Sequence, residues 1–285
     1  LFDISSLQEQ YNKVKANKLH AIGTAGRLYY GKDNKIKFEP DGDARPILRF
    51  PHRKEDNLTG AIVLYEGPYR NQEGQVPHNL YLVCHDPYGQ NQSADSSSLG
   101  AAYVIKRINN ISKPDDLIVA SYVGRPHTQD EYNKNLFMLA DYYNAKIGFE
   151  NDRGAVIQYA RQHRKLHRLQ EEFEMLDKKD LRSRNVKRNY GMHTTEARKR
   201  QGELYIRDWL NAVRSDDGDK ITLNLHKIYD LALLQELIKF NHRGNFDRVM
   251  ALMVGMYHTR ELYNAEVKEI LEDNASNDWF DKNYY

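Results

Sequence analysis

Leu80-Tyr-Leu-Val-Cys-His-Asp86 is the stretch whose reading decides the fold. Its apolar run Leu80–Cys84, closed by an acid and Pro87, predicts a core strand over 80–85 with a carboxylate at the end. Downstream, the pattern predicts strands at 100–108 and 116–123, a helix at 128–143, a strand at 145–150 and a helix at 153–176. Three sequential strands with short links favour an antiparallel meander, and the helix ahead of strand 145–150 permits a parallel return. Helix 153–176 carries Ala155, Val156, Tyr159, Ala160, Leu166, Leu169 and Phe173 at roughly helical period, so one face should be buried. Residues 177–192 read as a polar, basic loop, followed by helices at 194–214, 227–240 and 246–270. Upstream, residues 5–17 read as a helix capped by Ser5 or Ser6, and Gly23–Gly31 as a turn-rich connector. Strand signals follow at Lys35–Glu39, Pro46–Phe50 and Gly60–Tyr65. Residues 1–75 are therefore expected to be a connecting segment with a short β extension, and 76–285 a second block with a loosely held acidic tail.

Asp86 ends the first strand of that block, Glu150 ends the run Ala145-Lys-Ile-Gly-Phe149, and Asp247 opens a long apolar helix. Strand ends are rigid places for acids. Two acids on adjacent strand ends and a third on a packed helix can hold two divalent cations about 3.5–4 Å apart, a pair suited to phosphodiester hydrolysis. Carboxylate oxygens suit hard cations, Mg²⁺ or Mn²⁺. Asp95 is a candidate outer ligand and Asp152 a weaker one. Each acid alone also has a local explanation. Asp86-Pro-Tyr-Gly89 has the residues of a type I turn, Glu150 fits a solvated strand end, and Asp247 suits a helix N-terminus.

Taken together the motifs resemble the nuclease domain of the large terminase subunit of tailed phages. Asp86-Pro-Tyr-Gly89, then Asp95-Ser-Ser-Ser98, resembles that family's first metal motif, and Phe149-Glu-Asn-Asp-Arg-Gly154 its second acidic motif. Tyr190-Gly-Met-His-Thr-Thr195, with Arg198-Lys199 after it, resembles the segment beyond the next helix. Leu234-Gln-Glu-Leu237 and Gly244-Asn-Phe-Asp247-Arg-Val-Met-Ala251 resemble the closing motif. The match runs in order over about residues 76–262, with one departure. Phe246 precedes Asp247 where an acid pair is common in the family, which leaves a fourth ligand unassigned.

The resemblance implies an α/β, ribonuclease H-like mixed central sheet flanked by helices, in which the first and fourth strands lie side by side and bring Asp86 to Glu150. It implies a two-metal-ion endonuclease cutting concatemeric double-stranded DNA during viral genome packaging, with Asp86, Glu150 and Asp247 as catalytic ligands. Implied partners are double-stranded DNA, the portal protein and the small terminase subunit. The implied place is the host cytoplasm, transiently at the procapsid. A junction resolvase or a non-catalytic DNA-binding module of the same fold is the alternative.

The composition is compatible with this. Of 285 residues, 40% are hydrophobic and 29% charged, ordinary values for a globular chain. No apolar run approaches the roughly 18–20 residues of a membrane span, and no secretory signal is visible. A single cysteine, Cys84, argues against disulfides and cysteine–zinc sites and fits a reducing interior. Leu1 stands first without a methionine, an expectation that the chain is a piece of something longer. Net charge is only +2, but its distribution is uneven. From Arg153 to Arg207 there are fifteen Lys and Arg against seven acids, and from Glu261 to Tyr285 two against seven. A phosphate-facing surface is expected on Arg153, Arg161, Arg164, Lys165, Arg182, Arg184, Lys187, Arg188, Arg198 and Lys199, although helical spacing also suits a solvated face. Gly26-Arg-Leu-Tyr-Tyr-Gly31-Lys32 matches a phosphate-binding loop until Asp33, which repels phosphate and lacks the hydroxyl that magnesium needs. ATP binding is therefore not expected. His163 and His167 are the only i,i+4 histidine pair and lack an intervening acid, so zinc is not expected either. His85 should face away from Asp86 by strand alternation.

Overall fold

Strand β4 (Tyr81–Asp86) is buried along its whole length, because helices cover both faces of the sheet it belongs to. The computed structural model describes residues 2–88, 98–107, 116–151, 154–172, 190–218 and 221–264. In chain order the elements are α1 (Ile4–Ala16), β1 (Thr24–Tyr30), β2 (Ile36–Pro40), β3 (Ala61–Leu64), β4, β5 (Gly100–Lys106), β6 (Leu117–Gly124), α2 (Gln129–Tyr142) and β7 (Lys146–Phe149). There follow α3 (Ala155–Gln162), α4 (Glu196–Asn211), β8 (Val213–Asp216), β9 (Ile221–Leu223) and α5 (Leu231–Lys239). A last helix, α6, runs over 247–264. Among the described residues, no helix is long and apolar enough to cross a membrane.

Seven strands form one mixed sheet in the order β2-β1-β3-β6-β5-β4-β7. Within it β4, β5 and β6 are an antiparallel meander, and β7 returns parallel to β4 after the α2 crossover. This is the expected ribonuclease H-like layout. The strands upstream of residue 75 continue the same sheet, since β3 pairs with β6 and β1 with both β2 and β3. Helix α2 starts where the sequence marks it, with Thr128 and Glu131 forming a reciprocal capping box.

Strand alternation divides the core in two. Leu82, Cys84, Ala101, Tyr103 and Ile105 pack towards residues of α5 and α6, such as Leu234, Leu252 and Val254. Tyr81, Val83, Ala102 and Val104 pack towards Leu136, Phe137 and Ala140 of α2. Each buried Val, Leu, Ile or Phe among them contributes about 1.5–3 kcal/mol by leaving water. Asp86 has the parity of Leu82 and Cys84 and so takes the α6 side, whereas His85 takes the α2 side.

The structure corrects five expectations. Helix α1 is capped by Asp3, whose Oδ1 accepts from the amides of Ser5 and Ser6, not by Ser5 or Ser6. Gly23–Gly31 is mostly strand β1, not a connector. Gly26 is there for close approach, since a Cβ would stand 2.2 Å from the Glu39 carbonyl of β2. Pro46–Phe50 is not a strand; prolines at both flanks remove ladder donors, and the segment packs irregularly with Ile47 in the core. Helix 153–176 stops at Gln162, after which the chain turns so that Gln170 N–H bonds the Ile147 carbonyl at 2.9 Å, satisfying the β7 edge. The expected helix 194–214 stops at Asn211, and its last three residues lead into a hairpin, β8–β9.

Helix α6 reaches the sheet through small residues. A Cβ on Gly255 would lie 2.7 Å from Ile105 Cδ1 and 2.9 Å from Cys84 Sγ, and one on Gly148 would lie 2.8 Å from His258 Nδ1. Gly255→Ala should therefore cost about 1–3 kcal/mol by overpacking. Urea denaturation checks this, and an unchanged midpoint with an unchanged slope would contradict the close α6–β4 approach.

Candidate active site

The parallel register sets the first two acids side by side. His85 pairs with Phe149, and the Glu150 N–H continues the ladder to the His85 carbonyl at 3.2 Å. Asp86 and Glu150 thus leave the ends of neighbouring strands together, and their carboxyl groups are within hydrogen-bonding reach. Beyond Glu150 the chain is steadied by residues 190–192. Met192 donates to the Phe149 carbonyl at 2.8 Å and accepts from Asn151 at 2.9 Å.

Asp247 opens α6 on the same face. One of its oxygens accepts from the Leu99 N–H at 2.8 Å and from Asn245 Nδ2 at 3.2 Å, and the other from the Ser98 hydroxyl at 3.1 Å. These bonds tie α6 to the entrance of β5, whose Ala101 stands opposite Asp86. Asp86 and Asp247 are 9% and 6% exposed. Burial, and then the charges of Asp247 and Glu150, hold the proton of Asp86 well above the ordinary carboxylate range. Burial also raises Asp247, against the bonds from Leu99 and Ser98 that favour its charged form. Like-charged buried oxygens of this kind fit a hard divalent cation, which would remove their repulsion. Yet among the described residues no three His, Cys, Asp or Glu side chains close around a single point. The acids are gathered at one end of the sheet, with the oxygens of Asp247 turned to Ser98, Leu99 and Asn245.

Other candidates are placed as follows. Asp95, Asp152, Arg153, Arg182, Arg184, Lys187 and Arg188 lie outside the described residues. Arg161 and Arg164 are exposed on α3 and the turn after it. Lys165 is committed to Asp141 at 2.6 Å and the Tyr30 hydroxyl at 3.1 Å, and Arg168 joins it on Asp141 at 2.7 Å. Arg198 donates to the His193 carbonyl at 2.6 Å, and Lys199 stands 3.5 Å from Glu196. Gly26–Tyr30 lies within β1, where a phosphate loop would need a turn entering a helix. His163 stacks on Tyr159, and His85 is buried against Tyr132 with Nδ1 2.9 Å from the Ala101 carbonyl. Burial pushes His85 down to about 4, a neutral structural ring.

Sequence reasoning missed the buried charges behind Asp247. Arg248 and Glu236 are each 1% exposed, and Arg248 Nη1 donates to Glu236 Oε1 at 2.9 Å. Asp230 stands 3.7 Å from Arg248 Nε and accepts from the Tyr103 hydroxyl at 2.8 Å. Burial disfavours charge on Arg248, but Glu236 and Asp230 outweigh it and raise its pKa. The signal was there: Glu236 is the one acid inside Leu231-Ala-Leu-Leu-Gln-Glu-Leu237.

The chain is similar to the large terminase nuclease of thermophilic phage G20c. Its crystal structure with bound magnesium aligns at TM-score 0.43 and 14% identity, over 74% of this chain and 92% of that one. The zinc-bound form aligns at TM-score 0.40 and 14% identity, over 73% and 91%. A third structure of that nuclease gives 0.37 and 15%, over 73% and 91%. No protein-family model and no curated protein matches the sequence.

The crowding has a pH signature. A folded-state pKa of Asp86 above its ordinary 3.8 favours the fold fully below that value and withdraws the benefit as pH climbs through the raised one. In EDTA, thermal stability should fall as pH rises from about 4 towards about 8, and it should fall less in Asp86→Asn. At the upper pH the variant should melt above the wild type, by on the order of 2–4 °C per kcal/mol recovered. Scanning calorimetry decides it, and superimposable melting curves at the upper pH would refute the crowding.

Proposed function

We propose that this chain is a metal-dependent endodeoxyribonuclease, the nuclease domain of a viral large terminase, cutting concatemeric double-stranded DNA during genome packaging. The observation that carries the reading is the gathering of three acids from three elements. Asp86 and Glu150 leave adjacent parallel strands, and Asp247 starts a helix on the same face. The motif order from Asp86 to Ala251 supports the same assignment. Asp86, Glu150 and Asp247, with Asp95 as outer ligand, would hold two Mg²⁺ or Mn²⁺ ions. Such ions, when bound, supply an activated water and charge stabilisation at the departing 3′ oxygen.

The protein's own contribution is orientation. The β4–β7 ladder fixes the spacing of Asp86 and Glu150, while Ser98, Leu99 and Asn245 aim the carboxylate of Asp247. Buried surroundings would strengthen the interaction of Asp86 and Asp247 with a cation. Portal protein and small terminase subunit are the assembly partners of this reading, in the host cytoplasm at the procapsid.

A plasmid-nicking assay tests the reading. Supercoiled DNA should be relaxed and linearised with Mn²⁺ and left intact in EDTA. Asp86→Asn should abolish cleavage with the fold retained, because a charged ligand is removed at almost constant volume. Full activity in that variant at saturating Mn²⁺ would be incompatible with the site. Cleavage confined to four-way junctions would move the assignment to a resolvase.

DNA should be held through its phosphates, which position the duplex without reading bases. Neutralising Arg182, Arg184, Lys187 and Arg188 together should flatten the slope of log affinity against log salt. The expected change is roughly 0.9 for each phosphate that these side chains no longer neutralise. It should be the same for unrelated duplexes. An unaltered slope would place the DNA track on other residues.

A further inference from the structure

Helix α6 begins at residue 247, so its first amides need acceptors that the helix itself cannot supply. A Ser, Thr, Asp or Asn just ahead of the first turn usually provides one. Here that position holds Phe246, 5% exposed and packed between Phe50 and Phe240, with ring centroids at 5.3 and 5.2 Å. Phe246 has no side-chain oxygen to offer. The missing acceptor comes from another helix. Glu236 Oε2, on α5, accepts from the N–H of Arg248 at 2.9 Å and of Val249 at 3.2 Å. Its Oε1 accepts from Arg248 Nη1 at 2.9 Å. The same guanidinium reaches the Ile47 carbonyl through Nη2 at 2.8 Å. One carboxylate therefore closes both the amide end of α6 and the side chain of its second residue.

Stability alone is a poor reason for this arrangement. A buried ion pair roughly offsets its own desolvation, and well-packed apolar replacements are often as stable or more so. What a buried pair does supply is a single geometry. Leucines or methionines at 236 and 248 would hold α5 against α6 but would leave the first turn of α6 free to rotate. Asp247 sits in that turn, one residue before Arg248. On its other side Ser98, Leu99 and Asn245 hold it.

We propose that Glu236, acting with Arg248, is a positioning residue for Asp247: it caps α6 from outside and fixes the angle at which the Asp247 carboxylate meets Asp86 and Glu150. The proposal rests on the nuclease reading above. It gives Phe246 a role, since an aromatic anchor replaces the acid common at that place and the cap moves to Glu236. No fourth ligand is contributed from position 246.

The test is Mn²⁺ binding by calorimetry on wild type, Glu236→Gln and the double variant E236Q/R248M, with near-UV circular dichroism for the fold and plasmid nicking as a second readout. Glu236→Gln keeps one acceptor for the amides and sets an amide group against the guanidinium. Both variants should bind Mn²⁺ about 10–100-fold more weakly, the usual effect of losing an outer support of a metal ligand. Nicking should recover as Mn²⁺ is raised to saturation, which a loss of fold would not allow. In Glu236→Gln the buried guanidinium keeps only Asp230 as a charged partner, and the double variant removes that guanidinium, so it should fold if the single variant does not. A folded variant, single or double, with wild-type Mn²⁺ affinity would overturn the proposal while leaving the nuclease reading intact. Wild type that neither binds Mn²⁺ nor nicks DNA would overturn the nuclease reading, and this proposal with it.

Discussion

Parallel pairing of β4 with β7 is the constraint on which the candidate site depends. Only in a parallel pair do two strands end at the same edge, and only there can acids that close both strands meet. The pairing in turn requires a crossover, which α2 supplies, and cover on both faces, which α2 and the α5–α6 pair supply. Once those layers are packed, Asp86 has no choice of face. Its parity with Leu82 and Cys84 sends it towards α6, and α6 is where the third acid begins.

The cost of the arrangement is electrostatic. The buried Asp86 feels the charges of Asp247 and the half-buried Glu150, and the charge of Glu236 adds to the field there. Two features moderate this. Asp247 is held by one backbone amide and two side chains, and Glu236 is matched by Arg248. At Asp86 the main influences, burial and neighbouring acids, all act in one direction, and its proton affinity rises accordingly. Local stability is given up where a cation would be most strongly held, a common pattern at functional sites.

Much of this was legible in the sequence, for identifiable reasons. The runs at Leu80–Cys84 and Ala145–Phe149 are long enough to exclude loops, and a helix between parallel strands leaves few topologies. That reasoning, joined to the layout that the terminase resemblance implies, brought Asp86 and Glu150 to one edge without any structure. It failed where local signals compete with tertiary pairing. Gly26 and Gly31 read as turn residues, yet β1 uses Gly26 because β2 crosses too close for a side chain. Leu166 and Leu169 keep helical spacing, yet the exposed edge of β7 draws the chain out of the helix. Lys165 reads as a phosphate-binding residue, yet Asp141 lies 24 positions earlier in the chain and 2.6 Å away in space. Such partners are invisible to any rule based on neighbours along the chain.

The same limit applies to the support of Asp247, and there it is most instructive. Sequence inspection sees Phe246 as a departure from an acidic pattern and can say no more. Three-dimensional packing shows why the departure is tolerated. An aromatic side chain ahead of α6 gains burial against Phe50 and Phe240, worth about 1.5–3 kcal/mol. It forfeits a cap worth typically ~1 kcal/mol. Glu236 restores the cap from α5, so burial and capping are both obtained. A helix start held by a neighbour is also less free to rotate than one held by its own flanking residue, because its acceptor is anchored in a second packed element. The rigidity of the third acid is thus a property of the α5–α6 pair, and no single residue in the motif around Asp247 carries it.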